Sequence, residues 1–444
     1  MSSNAKDSAT LKSSPLEEEE AQVYSRASHP ISRKNIDEDA LKTMYRLIRH
    51  GHKAYLVGGG VRDLLLGKQP KDFDIATDAT PRKIKSIFRN CRIIGRRFKL
   101  AHIYFRGNKI FELSTFRDSQ AVADPNDQDQ SDDDGSSAQY SDNVYGTEKT
   151  DARRRDLTIN GLFYDLSTFS IIDYVGGMQD LQDGIVRIIG EPLERFEEDP
   201  VRMIRAIRHA ARASFLIEDG CWKTILEHHA LIKTCAPMRI FEEFKKDLLS
   251  GSLFSVIKLL HQANLLQHLL PDIDKHGETI FKNTSYAATV LSGIDRDALD
   301  NLEVSQTAAL AVFPLLGLNH HGNFTEPTGY QHKNEIHDYV HHFYRDLLVP
   351  KREKEKIADT LALFLRFAQL DDERLQKMSL ERRRSIAEVS QLYDWMLFDK
   401  QYDKSRQIIE QAAEKRKKAG PSKGTNKRNN SRSRGGTNKK KRFL

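Results

Sequence analysis

The chain has 444 residues, 39% hydrophobic and 30% charged, with a formal net charge of +7; that length fits about three domains, and the modest apolar share implies that part of the chain never packs. The longest apolar stretch, residues 308–318, is broken by Pro314 and falls short of a membrane helix, and the Ser- and Glu-rich N-terminus has no apolar signal core. Cys91, Cys221 and Cys235 lack CxxC spacing, so a membrane protein, a disulfide-stapled secreted domain and a Cys-ligated metal protein are excluded, and a reducing, cytoplasmic location is the expectation.

Residues 1–30 read as disordered. Asp37 then caps a helix whose apolar positions are Leu41, Met44, Tyr45, Leu47 and Ile48, with Gly51 at its end. Residues 54–57 read as a strand, 58–60 as a glycine turn, 61–66 as a helix and 72–75 as a second strand. Thr80-Pro81 opens another helix, and strands are expected at 91–94, 101–105 and 110–115. A run with eight Asp and no Lys or Arg, residues 118–142, interrupts this head as a disordered insert. A last strand is expected near 171–174, and Asp156 is a candidate cap for a helix beginning near Leu157. After Leu193 the periodicity is helical, with Val201, Ile204, Ile207 and Ala211 on one face and further helices at 239–249, 253–261, 304–317, 357–369 and 380–398. The expected architecture is an α+β head of mixed sheet and helices (31–190), an all-helical neck (191–260) and body (261–414), and a disordered tail (415–444).

The tail holds 13 Lys and Arg and no acid, so the preceding residues carry 7 − 13 = −6. Clustered cations release counterions from nucleic acid, and Lys439, Lys440, Lys441 and Arg442 are the densest part of a candidate phosphate-binding arm that reads charge, not sequence.

Asp72 and Asp74, in the segment Lys71-Asp72-Phe73-Asp74-Ile75, carry the most chemistry. Carboxylates two residues apart on a strand share a face, repel, and are relieved by a hard divalent cation that also recruits phosphates. That layout suits two-metal phosphoryl or nucleotidyl transfer; a solvated surface pair is the plainer alternative. Upstream, Gly58-Gly59-Gly60-Val61-Arg62-Asp63 sits at a strand-to-helix turn, where Gly59 and Gly60 permit close backbone approach to phosphate and Arg62 can clamp an oxygen bidentately. It fits neither GxGxxG nor a Walker loop. Glu112 and Asp156 are rival third acids. The histidines at 320, 321, 332, 337, 341 and 342 read as a polar helix face, although His337-Asp338 has the form of a hydrolase dyad, and Trp222 and Trp395 read as core anchors.

The ordered segments GGGVRD, DFD, RRDLTIN, YVGG and EDPVRMIRAIR resemble the class II nucleotidyltransferases, which comprise tRNA CCA-adding enzymes and bacterial poly(A) polymerases. The match runs from about Ala54 to Phe215 and continues more loosely through 239–244. Residues 93–103, with Arg96, Arg97 and Lys99, are similar to the poly(A) polymerase branch and suit an RNA backbone; cations guarding a strand edge are the alternative. The resemblance implies that Asp72 and Asp74 bind the catalytic metals (two Mg²⁺, with Mn²⁺ as an alternative). It implies Asp156 as a further catalytic acid, with Glu112 beside the pair in some members. Gly59, Gly60 and Arg62 would hold the triphosphate, Arg154 and Arg155 would support the nucleotide, and Glu198, Asp199 and Arg202 would read the base edge. The plainer alternative for these last three is an ordinary salt-bridged helix start. The implied activity is template-independent addition of AMP from ATP to RNA 3′ ends, with RNA-decay or RNA-chaperone proteins as partners. The alternatives are a CCA- or A-adding tRNA enzyme and a non-catalytic RNA-binding protein on the same scaffold, against which the paired carboxylates argue.

Overall fold

The computed structural model describes residues 20–95, 99–118, 145–300, 302–318, 333–380, 383, 385–396 and 403–419. The head is built on eight strands: β1 (Gln22–Tyr24), β2 (Ala54–Val57), β3 (Asp74–Thr77), β4 (Cys91–Ile94), β5 (Leu100–Tyr104), β6 (Ile110–Thr115), β7 (Leu162–Asp165) and β8 (Ser170–Asp173). They lie in the order β1-β8-β7-β2-β3-β6-β5-β4. Neighbouring strands run antiparallel except β3 and β6, which are parallel.

Strand alternation sorts the sheet into two faces. Leu56, Ile75, Leu113 and Ile171 point to one face and form a core with α1 (Glu38–Arg49), α2 (Gly59–Leu65) and α3 (Pro81–Ile87) through Met44, Leu47, Val61 and Ile84. Asp37 caps α1, accepting the Asp39 N–H at 2.8 Å, and Thr80 caps α3 with Pro81 in its first turn. On the opposite face Tyr55, Val57, Ala76, Phe116 and Phe163 make a smaller cluster with Ala152 of α4 (Glu148–Arg153). That face is left partly open, and it is the one to which Asp74, two residues before Ala76, belongs.

Helices follow: α5 (Gly177–Asp183), α6 (Pro192–Glu198), α7 (Val201–Ala213), α8 (Asp219–His228), α9 (Pro237–Leu248) and α10 (Leu253–Gln262), continuing to the last described helix, Asp403–Ala419. A short parallel pair, β9 (Ile185–Val186) and β10 (Leu216–Ile217), closes the start of the neck. One continuous apolar core joins neck and body, running from Leu157 and Phe196 to Trp395 and Ile409. A buried ion cluster also ties α7 to α9: Arg208 donates to Glu243 at 2.7 Å and to Asp247.

Several expectations are corrected. β1 lies inside the stretch read as disordered, because it pairs antiparallel with β8 and His29 is buried behind it. The strand read at 72–75 begins at Asp74, because its partner β2 ends where Val57 meets Asp74 and Gly58 turns away with φ +69°. Asp72 therefore precedes the strand and is exposed. No α-helix starts near Leu157; a 3₁₀ turn, Thr158–Asn160, leads into β7, which the sequence reading missed. The tail reading starts too early, since the last helix runs to Ala419. His337 faces Asp359 at 3.3 Å, and among the described residues no three His, Cys, Asp or Glu side chains form a metal cluster. Trp395 is a core anchor, its indole N–H donating to Asp297 at 2.8 Å, and Trp222 packs against the same core.

Candidate active site

Between the open face of the sheet and the neck helices lies a cleft of about 370 Å³. The head contributes Val57, Asp74, Glu112 and Ser114 together with Arg154, Arg155 and Asp156; the neck contributes Asp199, Arg202, Arg205, Arg239 and Glu243. Residues far apart in sequence converge here because β3 and β6 are adjacent. The register pairs Ile75 with Leu113, so one step earlier Asp74 stands beside Glu112.

These two carboxylates define the electrostatics. Burial, then the Glu112 charge, push the Asp74 carboxyl up to about 6, with Arg155 opposing and Asp72 adding. Glu112 is 54% exposed and lies 3.4 Å from His102 on the neighbouring strand. A Cβ at Gly58 would come within 3.5 Å of both Asp74 Oδ2 and Arg155 Nη1, so the turn's backbone lies directly against this charge cluster.

The arginines are held by a residue the sequence reading did not single out. Asp151, fully buried, accepts from Arg154 Nε at 2.8 Å and from Arg155 Nη2 at 3.0 Å. Its position on α4, three and four residues before them, was the available signal. Asp156 instead accepts the Leu157 N–H at 2.8 Å and Arg205 Nε at 2.5 Å. Burial alone would raise its carboxyl, but the Arg205 charge and the hydrogen bonds from Arg205 and the Leu157 N–H hold it well below the usual carboxylate range.

On the neck side, Glu198 is taken up by Arg195 and Arg202, each at 2.7 Å. Asp199 accepts from Arg239 through Oδ2, while its buried Oδ1 has no hydrogen-bond partner among the described residues. Arg205 could have been read from its place three residues after Arg202, and Arg239 and Glu243 from their shared helix face.

Arg62 does not line the cleft. It is 6% exposed, and its guanidinium donates to Asp63 at 3.0 and 2.8 Å and to Asn160 at 2.7 Å. A bidentate clamp on phosphate needs a free pair of donors, and four of the five N–H groups are taken by Asp63, Asn160 and His209. Gly59 and Gly60 lie in the first turn of α2, where a Cβ on Gly60 would meet the Asp72 carbonyl at 3.2 Å. Glu198 and Asp72 also lie off the cleft lining, Asp72 reaching it through its charge on Asp74. The Lys99 carbonyl accepts from Arg117 at 3.2 Å. Arg96, Arg97 and Lys439 to Arg442 lie outside the described residues.

The donor set can take a divalent cation. Asp74 and Glu112 are hard oxygen donors left facing one another, and Mg²⁺ is usually held by one or two carboxylates with water and substrate phosphates completing its shell.

A mixed sheet with paired carboxylates at its open face is thus opposed by an arginine-rich helical neck, an arrangement suited to a phosphate-bearing substrate. Residues 54–187 match the family model described as the poly A polymerase head domain, and residues 214–276 the one described as the probable RNA and SrmB-binding site of polymerase A. The chain is 39% identical over 367 residues to Poly(A) polymerase I of Salmonella typhi, covering 80% of this chain and 78% of that one. It is 38% identical over 355 residues to Poly(A) polymerase I of Haemophilus influenzae, covering 76% of each. The chain belongs to the bacterial poly(A) polymerase family and is an RNA nucleotidyltransferase. A CCA-adding enzyme of Bacillus licheniformis is 32% identical over 241 residues, 54% of this chain and 57% of that one. The fold is shared with the Bacillus stearothermophilus CCA-adding enzyme solved with CTP, at TM-score 0.59 and 23% identity over 86% of this chain and 81% of that one. Among the described residues no helix is long and apolar enough to cross a membrane.

Proposed function

We propose that the protein extends RNA 3′ ends with AMP taken from ATP. One observation carries this over the CCA-adding alternative: identity of 39% to a poly(A) polymerase extends over 80% of the chain, against 32% over 54% for the CCA-adding relative. In the reaction the RNA 3′-hydroxyl loses its proton to solvent as its oxygen bonds to the α-phosphorus of ATP, the bond from that phosphorus to the oxygen bridging to the β-phosphate breaks, and pyrophosphate leaves. Asp74 and Glu112, with Asp72 adding its charge from just before the strand, would hold divalent metal, two Mg²⁺ ions or Mn²⁺ in their stead, which would supply charge neutralisation for the phosphates.

The remaining work is positioning. Gly58, Gly59 and Gly60 bring backbone close to the triphosphate, and Arg62 acts from behind by holding that turn to Asn160. Arg154 and Arg155, aimed by Asp151, meet phosphate charge. Asp156 stays ionised and holds Arg205 at the cleft wall. The unpartnered Asp199 Oδ1 suits the exocyclic amine of adenine, with Arg202 beside it and Glu198 fixing Arg202. Arg96, Arg97, Lys99 and the tail cations would follow the RNA backbone by charge. The 214–276 match makes the neck the first region to test for RNA-decay or RNA-chaperone protein partners. In this reading the working units are head, neck, body and basic tail.

The deciding experiment offers ATP, CTP or both with an unstructured RNA and with a tRNA lacking its 3′ end. Long A-tracts on the unstructured RNA are expected. CCA addition confined to the truncated tRNA would overturn the polyadenylation reading.

A further inference from the structure

His209 is a half-buried titratable group that the scheme above leaves unused. It sits on α7 one turn beyond Arg205 and two beyond Arg202, both of which line the cleft. Its Nδ1 lies 3.0 Å from Arg62 Nη1, the nitrogen that also donates to Asn160 Oδ1 at 2.7 Å. Arginine offers only donors, so Nδ1 must accept; the ring is neutral and its proton is on Nε2. The surroundings agree. Burial, then the charges of Arg62, Arg205 and Arg208, disfavour an imidazolium here, and Asp156 alone favours it.

Arg62 is thereby the meeting point of three elements: α2, which carries the glycine turn; the 3₁₀ turn after Asp156; and α7, which carries the neck's cleft arginines. Of Arg62's contacts, the one to His209 crosses from head to neck, as the Asp156–Arg205 pair does beside it. We propose that His209 is a positioning residue, whose neutral imidazole locks Arg62 and the glycine turn to α7 and so sets the spacing between the two walls that must grip one nucleotide.

The proposal rests on the cleft being the nucleotide site, but not on which nucleotide enters it. The test therefore uses whichever nucleotide the wild-type chain incorporates, so a CCA product would overturn the polyadenylation reading without touching this one. His209→Phe keeps the bulk and removes the acceptor; His209→Asn restores an acceptor oxygen; His209→Lys sets an ammonium against Arg62. Steady-state KM for the nucleotide, kcat and the melting midpoint are measured on the full chain. A nucleotide gripped by one wall at a time binds more weakly, so His209→Phe should raise KM about fivefold, the scale of one net hydrogen bond, with kcat changed less than about twofold. His209→Asn should return KM to within about twofold of wild type, and His209→Lys should be the weakest binder. A merely structural role would reduce the active fraction, lowering apparent kcat and the midpoint at unchanged KM. That pattern, or equal KM in the Phe and Asn variants, would overturn the proposal. If the Phe variant does not fold, the comparison of Asn with Lys decides: equal KM in those two counts against it.

Discussion

Asp74 is where burial and like charge meet, and both press its carboxyl toward the protonated form, up to about 6. An ordinary aspartate titrates near 3.9. The folded protein therefore holds this proton more tightly than the unfolded chain between roughly pH 4 and 6, and Asp74's own contribution lowers stability as pH rises through that window. Glu112→Gln removes the second-largest cause of the shift. In metal-free protein, carboxyl-carbon NMR should show the Asp74 midpoint move down in that variant, with burial keeping it above the ordinary value. An unchanged midpoint would mean that the two side chains do not sense one another. Asp156, another acid in the cleft, is shifted the opposite way by Arg205, so these two carboxylates of one site titrate far apart. Sequence spacing could nominate these acids; it could not say which would be raised and which lowered, because the arginine that decides the matter arrives from a different helix.

At the scale of elements, most of the head was legible. The caps at Asp37 and Thr80, the strand at 54–57 and the strand at 110–115 rest on local chemistry and recur in the structure. The failures share a cause. β7 follows a polar turn directly and is buried over its first three residues, so it shows no alternation. β3 starts late because pairing with β2 runs out, a limit set by another strand. Arg62 looked like a phosphate clamp because two of its acceptors, Asn160 and His209, are distant in sequence, and the pairing with adjacent Asp63 was not read. Close packing also makes one turn testable. A Cβ on Gly177, at the start of α5, would lie 2.2 Å from the Thr158 carbonyl oxygen and 3.2 Å from Leu162. Gly177→Ala should therefore lift α5 off the turn bearing Asn160 and cost about 2 kcal/mol or more. Thermal melts should record the loss, accompanied by weaker activity; a wild-type melt would show that the turn yields freely.

For the whole molecule, the net charge of +7 conceals a division. Past Ala419 the chain has nine Lys and Arg and no acid, so residues 1–419 carry 7 − 9 = −2. Removing residues 420–444 leaves the last helix intact and takes away cations only. Binding to an unstructured RNA should weaken, and the slope of log affinity against log salt should flatten by as much as about 6, at roughly 0.7 per cation. Turnover on saturating RNA should stay close to wild type. A slope equal to that of the full chain would show that the tail does not meet phosphate. The strength of the tail signal came from composition alone, whereas the cleft needed coordinates, since its lining is gathered from separate segments that run from Val57 to Glu243.

The parallel pairing of β3 with β6 also bears on how the head comes into being. Parallel neighbours cannot be joined by a tight hairpin; here the chain must first travel through α3, β4 and β5 before β6 can lie down beside β3. Asp74 and Glu112 therefore meet only at the close of a long-range loop, and their mutual repulsion opposes that closure. A head in which β6 has not yet paired with β3 has the residues of the cleft but not the charged pair itself.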